Sequence, residues 1–314
     1  MADVAVLIPT MRRPESLNRA LRSVFAQLGV ANRLAVIVVV DNDPTGSAAG
    51  TVADLAPMSP CPLVYHHEPR PGVATARNAG LGQTDAPVIA FLDDDEAAQP
   101  EWLARLITAY ELLGADVVFG PIRGRVPEVT GWALDYLERF FGRQGPSETQ
   151  LIEHAYGCGN ALMRRETALP GAMPFDPAAD RSGGEDDALF QALQARGGQF
   201  GWAAEAWVDE FAPPHRATMR YALARAFAYG QSPCQLAMRD RRPLDVARWM
   251  LIGMAQAAVW GGAALTLTIV GNSRRAEMLD RAVRGLGKVF WMKGFEQQFY
   301  GTRELARLER LKPA

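Results

Sequence analysis

The 314-residue chain has little cysteine, little histidine and no excess of positive charge, and each shortage removes a class of function. Its three cysteines, Cys61, Cys158 and Cys234, lie far apart, with no CxxC pair and no histidine at zinc spacing. That excludes a zinc ribbon or a disulfide framework and fits a reducing compartment. Lys and Arg number 33 against 35 Asp and Glu, a net charge of -2, so no nucleic-acid partner is expected and any phosphate must be bound locally. No GxGxxG follows the first apolar run, which argues against a Rossmann dinucleotide site. Repeats and low-complexity stretches are missing too. Met1-Ala2-Asp3 passes straight into a strand-like run, without the basic region, apolar stretch and cleavage site of a signal peptide. A cytoplasmic catalytic part is the expectation.

What is present is an alternation. Val4–Ile8 and Leu34–Val40 are short apolar runs of the kind buried on both faces, separated by a stretch with Leu17, Leu21, Val24, Phe25 and Leu28 at helical spacing. A weaker strand at 63–66, a helix at 72–81, a strand at 87–92, a helix at 100–113 and a strand at 116–119 continue it. The fold class expected is α/β, a doubly wound, mostly parallel sheet. From Gly120 to Glu153 proline and glycine loosen the pattern, although 132–141 fits one amphipathic helix. Such loops beside a rigid sheet usually carry specificity.

Two acidic clusters stand out. Phe91-Leu92-Asp93-Asp94-Asp95-Glu96 ends an apolar run, and adjacent carboxylates are costly to desolvate unless water or a cation neutralises them. A metal site and a solvated turn capping the helix after Pro100 both satisfy that condition. Location favours the site, because ligands of open α/β sheets bind beyond the carboxyl ends of the strands. Far along the chain, Ser182-Gly183-Gly184-Glu185-Asp186-Asp187 opens a helix and places carboxylates at the positive end of its dipole.

In their order, Val6-Leu7-Ile8-Pro9-Thr10 with Arg12-Arg13-Pro14, Val38-Val39-Val40-Asp41-Asn42, Gly72 through Arg77-Asn78, Asp93-Asp94-Asp95 and Gly184-Glu185-Asp186 resemble the motifs of family-2 glycosyltransferases, over roughly residues 4 to 230. The resemblance implies a GT-A domain at 1–230, a UDP-sugar donor, Mg²⁺ or Mn²⁺, and inversion by one base. Asp95 and Asp93 then match the cation ligands, with Asp93 and Asp94 beside the nucleotide sugar. Asp41, Pro9, Thr10, Arg12 and Arg77 would line the nucleotide pocket; a turn-forming aspartate and a surface arginine are the plain alternatives for Asp41 and Arg77. Gly157, Gly159 and Asn160 resemble the wall behind the donor sugar. Asp186 matches the base and Glu185 its support or an acceptor ligand. In many relatives a histidine that helps hold the metal follows the base; here Glu210 stands in its place, ahead of Pro213-Pro214-His215-Arg216, so Glu210 supplies that ligand, or His215 does, or the site lacks one. Two alternatives remain at this level, a nucleotidyltransferase, disfavoured by the missing glycine-rich phosphate loop, and a non-catalytic glycan-binding scaffold, disfavoured by intact acids.

The last third, 231–314, reads as a helical, membrane-associating extension. Between Arg248 and Arg274 no residue is charged, and 249–270 is near the ~20 residues that span a bilayer core. A spanning helix, an interfacial hairpin and a buried helix pair all fit; arginines on both flanks suit an anionic lipid surface. The tail from Arg281 through Gly285-Leu286-Gly287-Lys288 is similar to bacterial exopolysaccharide glucosyltransferases of the succinoglycan type. That likeness implies glucose as donor sugar, a lipid-linked or polysaccharide acceptor, and the cytoplasmic face of the inner membrane.

Overall fold

The computed structural model describes residues 3–181 and 183–296; Ser182 of the second acidic stretch lies outside them. The chain forms two compact units, which among the described residues are 3–123 with 143–211, and 124–142 with 212–296. The boundary expected at 230 falls inside a helix, Met219–Arg239.

The first unit begins β1 (Val4–Thr10), α1 (Pro14–Phe25), β2 (Leu34–Asp41), α2 (Ala49–Leu55), β3 (Leu63–His67), α3 (Val73–Leu81) and β4 (Val88–Phe91). It continues through β5 (Glu96–Ala98), α4 (Trp102–Leu113), β6 (Val117–Phe119) and the start of β7 (Ile122–Arg125). After the excursion into the second unit come β8 (Gln150–Ile152), β9 (Ala161–Arg164), α6 (Arg165–Ala168), α7 (Glu185–Ala195), β10 (Phe200–Trp202) and β11 (Val208–Phe211); the excursion itself holds α5 (Leu134–Phe141).

Eight strands form one sheet in the order β3-β2-β1-β4-β9-β6-β10-β8. Six run one way; β9, between β4 and β6, and β8, at the edge, run against them. The apolar runs are buried on both faces, as expected. Val4, Val6, Ile8, Ile37 and Val39 join the core under α1 and α4, while Ala5, Leu7, Val38, Val40 and Phe91 join the core under α3 and α7. Alternation within a strand feeds both layers, the packing that a parallel sheet requires.

The antiparallel β9 was not expected from the sequence, and it decides where the site lies. Thr10 pairs with Asp41 at the carboxyl edge of β1 and β2, and Phe91 ends β4 nearby. Because β9 runs backward, its first residue Ala161 pairs with both Phe91 and Phe119. The segment before it, Gly157–Asn160, therefore arrives at the same edge. A short second sheet brings in the rest, since β11 pairs antiparallel with β5 and sets Glu210 opposite Glu96.

The second unit adds α8 (Met219–Arg239), α9 (Pro243–Ile269) and α10 (Arg275–Val289) to α5. The expected hairpin or helix pair at 249–270 is corrected here, because α9 runs unbroken through Gly261-Gly262. The pair is followed by the helix formers Ala263, Ala264 and Leu265, so it costs propensity without ending the helix. At 27 residues, α9 is the one described helix long and apolar enough to cross a bilayer by length and composition. Leu244, Leu251, Val259, Leu265 and Ile269 lie exposed along it. The Gly285-Leu286-Gly287 stretch serves packing: a Cβ at Gly285 would strike the backbone of α9 and one at Gly287 the backbone of α8. Small residues let the three helices approach closely.

Candidate active site

The two acidic clusters, far apart in sequence, meet across one arginine. Arg77, buried on α3, donates to Glu185 at the start of α7 and lies 3.7 Å from Asp93 beyond β4. Its guanidinium also stands 5.5 Å from the centroid of the buried Phe175 ring. A buried cation needs paired charge, and Arg77 has it on both sides. The second cluster is anchored further by Asp180, which accepts from Ala74 N (2.8 Å) and Thr75 Oγ1 (2.6 Å) at the start of α3. Between that tie and α7 the chain turns through Gly183 and Gly184, at φ 76° and 85°, a left-handed conformation natural to glycine.

Between the clusters runs the strip Gly157-Cys158-Gly159-Asn160. Cys158 N donates to Asp186 Oδ2 at 3.2 Å, and a side chain on Gly159 would meet Asp93 and Glu96. Backbone can therefore approach the carboxylates on one side and leave Asp186, half-buried, facing the strip on the other. Asn160 does a different job from the one its motif implied. It is fully buried at φ 52°; its Oδ1 accepts from Trp102 Nε1 (2.7 Å), and its Nδ2 donates to the carbonyls of Pro121 (2.8 Å) and Ala206 (2.9 Å). The side chain holds three segments together, with its amide spent on bonds inside the protein.

Around the first cluster the four acids separate by role. Asp94 points inward, accepting from Thr10 Oγ1 (2.7 Å) and from Arg13 Nη1 (2.9 Å). Burial pushes its carboxyl up to about 6, the charge of Asp95 adding to a shift that Arg13 and Thr10 only partly offset. The same Nη1 donates to Asp95 Oδ2 at 2.7 Å. Asp93, Glu96 and Glu210 crowd together: burial raises all three carboxyls, Asp93 and Glu210 raise Glu96 further, and Asp95 and Asp93 do the same to Glu210. Glu96 Oε2 accepts from Asp93 N (2.9 Å), while the buried Oε1 has no hydrogen-bond partner.

Negative charge in excess, with an orphaned carboxylate oxygen, suits a hard divalent cation. No three His, Cys, Asp or Glu side chains among the described residues are arranged to hold one by themselves. That fits Mg²⁺-type binding, where one or two carboxylates share the ion with substrate phosphates and water.

On the nucleotide side the expected residues gather, with two corrections. Pro9 and Thr10 end β1 at the carboxyl edge. Asp41 is fully buried and its oxygens are taken by Asp43 N (3.1 Å), Ala48 N (2.6 Å) and Tyr65 Oη (3.0 Å). These bonds shape the turn after β2. Arg12, at φ 57°, pairs with Asp43 at 3.0 Å. Hydrogen bonds from Thr45, Arg12 and Ser47 outweigh burial and hold the Asp43 carboxyl down at about 2. Arg12 thus braces the turn, and its neighbour Arg13 is the arginine at the acidic cluster. Arg13 was visible in the Arg12-Arg13-Pro14 stretch; nothing in the sequence separated the two. Arg143 carries no signal in the sequence, lying in a loosely patterned loop, and Glu96 shows there only as the trailing acid of the first cluster.

Comparison with known proteins agrees with this geometry. The family model described as "Glycosyl transferase family 2" matches residues 5–168. The succinoglycan biosynthesis protein ExoM of Rhizobium meliloti is 32% identical over 306 residues, 94% of this chain and 95% of that protein. The pre-mycofactocin glycosyltransferase of Mycobacterium tuberculosis is 27% identical over 293 residues, and the match takes in 90% of this chain but 58% of that protein. In fold, the chain resembles residues 1–349 of Staphylococcus aureus TarS in complex with UDP-GlcNAc, with a TM-score of 0.54 over 96% of this chain and 93% of that one at 14% identity. A mostly parallel sheet with two acidic clusters joined at its carboxyl edge, a matching family model and a full-length relative together establish that the chain belongs to glycosyltransferase family 2.

Proposed function

We propose that this glycosyltransferase moves a hexose, glucose on the strength of its tail, from a UDP-sugar to a lipid-linked or polysaccharide acceptor with inversion at the anomeric carbon. The observation that carries the reading is the Arg77 bridge, which brings the Asp93 cluster and the Glu185-Asp186 pair together around one buried guanidinium. Asp95, with Asp93 or Glu210 as its partner, would hold Mg²⁺ or Mn²⁺ jointly with the donor's phosphates. When bound, the cation neutralises charge on the departing diphosphate. The protein's own groups supply the rest. Asp186 takes the acceptor hydroxyl's proton, its orientation fixed by Cys158 N, while Glu185 stays paired to Arg77 and cannot take the base's place. Gly157 and Gly159 leave room for the sugar ring, and Pro9 and Thr10 border the nucleotide.

The relatedness to ExoM supports a polysaccharide acceptor, and the likeness to UDP-GlcNAc-bound TarS supports a nucleotide-sugar donor. The exposed apolar length of α9 and the arginines flanking it support work at the cytoplasmic face of the inner membrane, where a lipid-linked acceptor would lie. The test is UDP release from a panel of UDP-sugars with Mg²⁺ or Mn²⁺, with and without EDTA, in the presence of membrane extract. Metal-dependent release from UDP-glucose is expected; release from a different donor only would overturn the sugar, and none at all the donor class.

Cation binding should also release protons. The carboxyls of Asp93, Glu96 and Glu210 sit above their ordinary range in the free protein, and a cation favours their ionised forms. Affinity for Mn²⁺ with UDP should therefore tighten as pH rises until those groups are ionised beforehand. Calorimetry near pH ~6 in two buffers of different ionisation enthalpy reads the proton count; a heat independent of buffer would contradict the assignment.

A further inference from the structure

We propose that Arg143 is the positioning residue that sets the Gly157–Asn160 strip, and through it the base, an inference that rests on the reading of Asp186 above. Arg143 re-enters the first unit from the loosely patterned loop, and its main chain is pinned by two 2.9 Å hydrogen bonds exchanged with Ile122. Its guanidinium donates through Nε to Gly120 O (3.0 Å), through Nη1 to Gly157 O (2.8 Å), and through Nη2 to Gly159 O (2.6 Å) and Asn160 O (2.9 Å). Phe119 and Tyr156 flank it, with ring centroids 5.9 and 5.6 Å away.

The geometry gives this arginine a particular task. Four of its N–H groups are spent on main-chain carbonyls, so it acts as a template more than as a phosphate ligand. Three of those carbonyls belong to the strip that lies between the two carboxylate clusters. Gly157 O and Gly159 O bracket Cys158, whose N–H donates to Asp186. Holding both neighbours fixes the peptide plane that aims that N–H. On the other side the strip abuts Asp93 through Gly159, so one rigid fork sets the spacing of base and cation-binding carboxylates together. Lysine keeps the charge but not the planar fork, and cannot reach four carbonyls at once.

The test compares wild type with Arg143→Lys and Arg143→Gln in the full chain, reading kcat, donor KM, UDP affinity and amide exchange. With the base displaced and the nucleotide pocket intact, kcat should fall about 100-fold, the cost of roughly an ångström of misplacement. Donor KM and UDP Kd should stay within about threefold. Exchange across 157–160 should quicken while that of α4 stays unchanged. Unchanged kcat, unchanged exchange in the strip, or a loss of UDP binding that matches the loss of kcat with faster exchange in α4 would each overturn the proposal. If Asp186→Asn remains active while Arg143→Lys shows the expected split and exchange, the base assignment fails and the positioning role stands.

Discussion

Asp186→Asn should bind UDP as the wild type does and transfer sugar about 1,000-fold more slowly, within the range contributed by general-base catalysis. The substitution is nearly isosteric, and its single amide oxygen can keep the 3.2 Å bond from Cys158 N while giving up the one from Asp187 N on the same helix turn. Its decisive loss is the ability to take a proton. The proposed inversion would need one displacement with no covalent intermediate, and hence a single base. Glu185, next in sequence, is buried and tied to Arg77, and Asp187 is exposed on the first turn of α7, its N–H donating to Asp186 Oδ1 at 2.9 Å. Transfer and donor hydrolysis measured in parallel, with UDP affinity as control, decide the matter. Transfer by the variant within tenfold of wild type would remove the assigned base.

Removing the divalent cation should be as severe. EDTA is expected to bring transfer to background and added Mn²⁺ or Mg²⁺ to restore it, because stabilising the departing diphosphate accounts for several kcal/mol, roughly 1,000-fold or more in rate. The acids of the first cluster should not respond alike. Asp95→Asn removes a carboxylate that meets Arg13 at the cleft side and should lose about 100-fold or more. Asp94→Asn should cost far less, because that side chain is buried and occupied by Thr10 and Arg13, and the amide oxygen can still accept from Arg13 while its nitrogen donates to the Thr10 hydroxyl. Rates for the two variants across a Mn²⁺ titration give the comparison. Equal losses, with equal shifts in the metal requirement, would mean that the inward-pointing aspartate is itself a ligand.

How the sequence announced these features depended on whether the signal was local. The buried strands were legible because burial on both faces demands continuous apolar runs, and Val4–Ile8, Leu34–Val40 and Pro87–Leu92 have them. Asp93 and Asp95 stood out because charged residues beside such a run are expensive unless used, and Asp186 because it falls in an acidic helix start that follows in the family's motif order. By contrast β9, of four residues, carries no periodicity long enough to reveal its direction, and direction alone brings Gly157–Asn160 to the site. Asp41 and Asn160 look like ligand contacts in a motif, yet their side chains are engaged within the protein, Asp41 accepting from backbone N–H groups and Tyr65, Asn160 accepting from an indole and donating to two carbonyls. Polar residues of a turn and polar residues of a pocket share one vocabulary; only the location of their partners separates them.

By itself, then, the sequence determined the α/β class, the order of the first four strands, the two acidic clusters and the uncharged stretch that became α9, since each follows from hydrophobic pattern or from charge that a core will not accept. Tertiary structure decided which of the paired arginines meets the acids, how Arg77 unites clusters distant in the chain, that Glu210 faces Glu96, and that Arg143 reaches the strip from a loop with no pattern of its own. The reason is physical. A side chain's role at a site is set by long-range partners within about 3 Å, and hydrogen-bond geometry over that distance depends on strand direction and register, which local residue preferences do not encode.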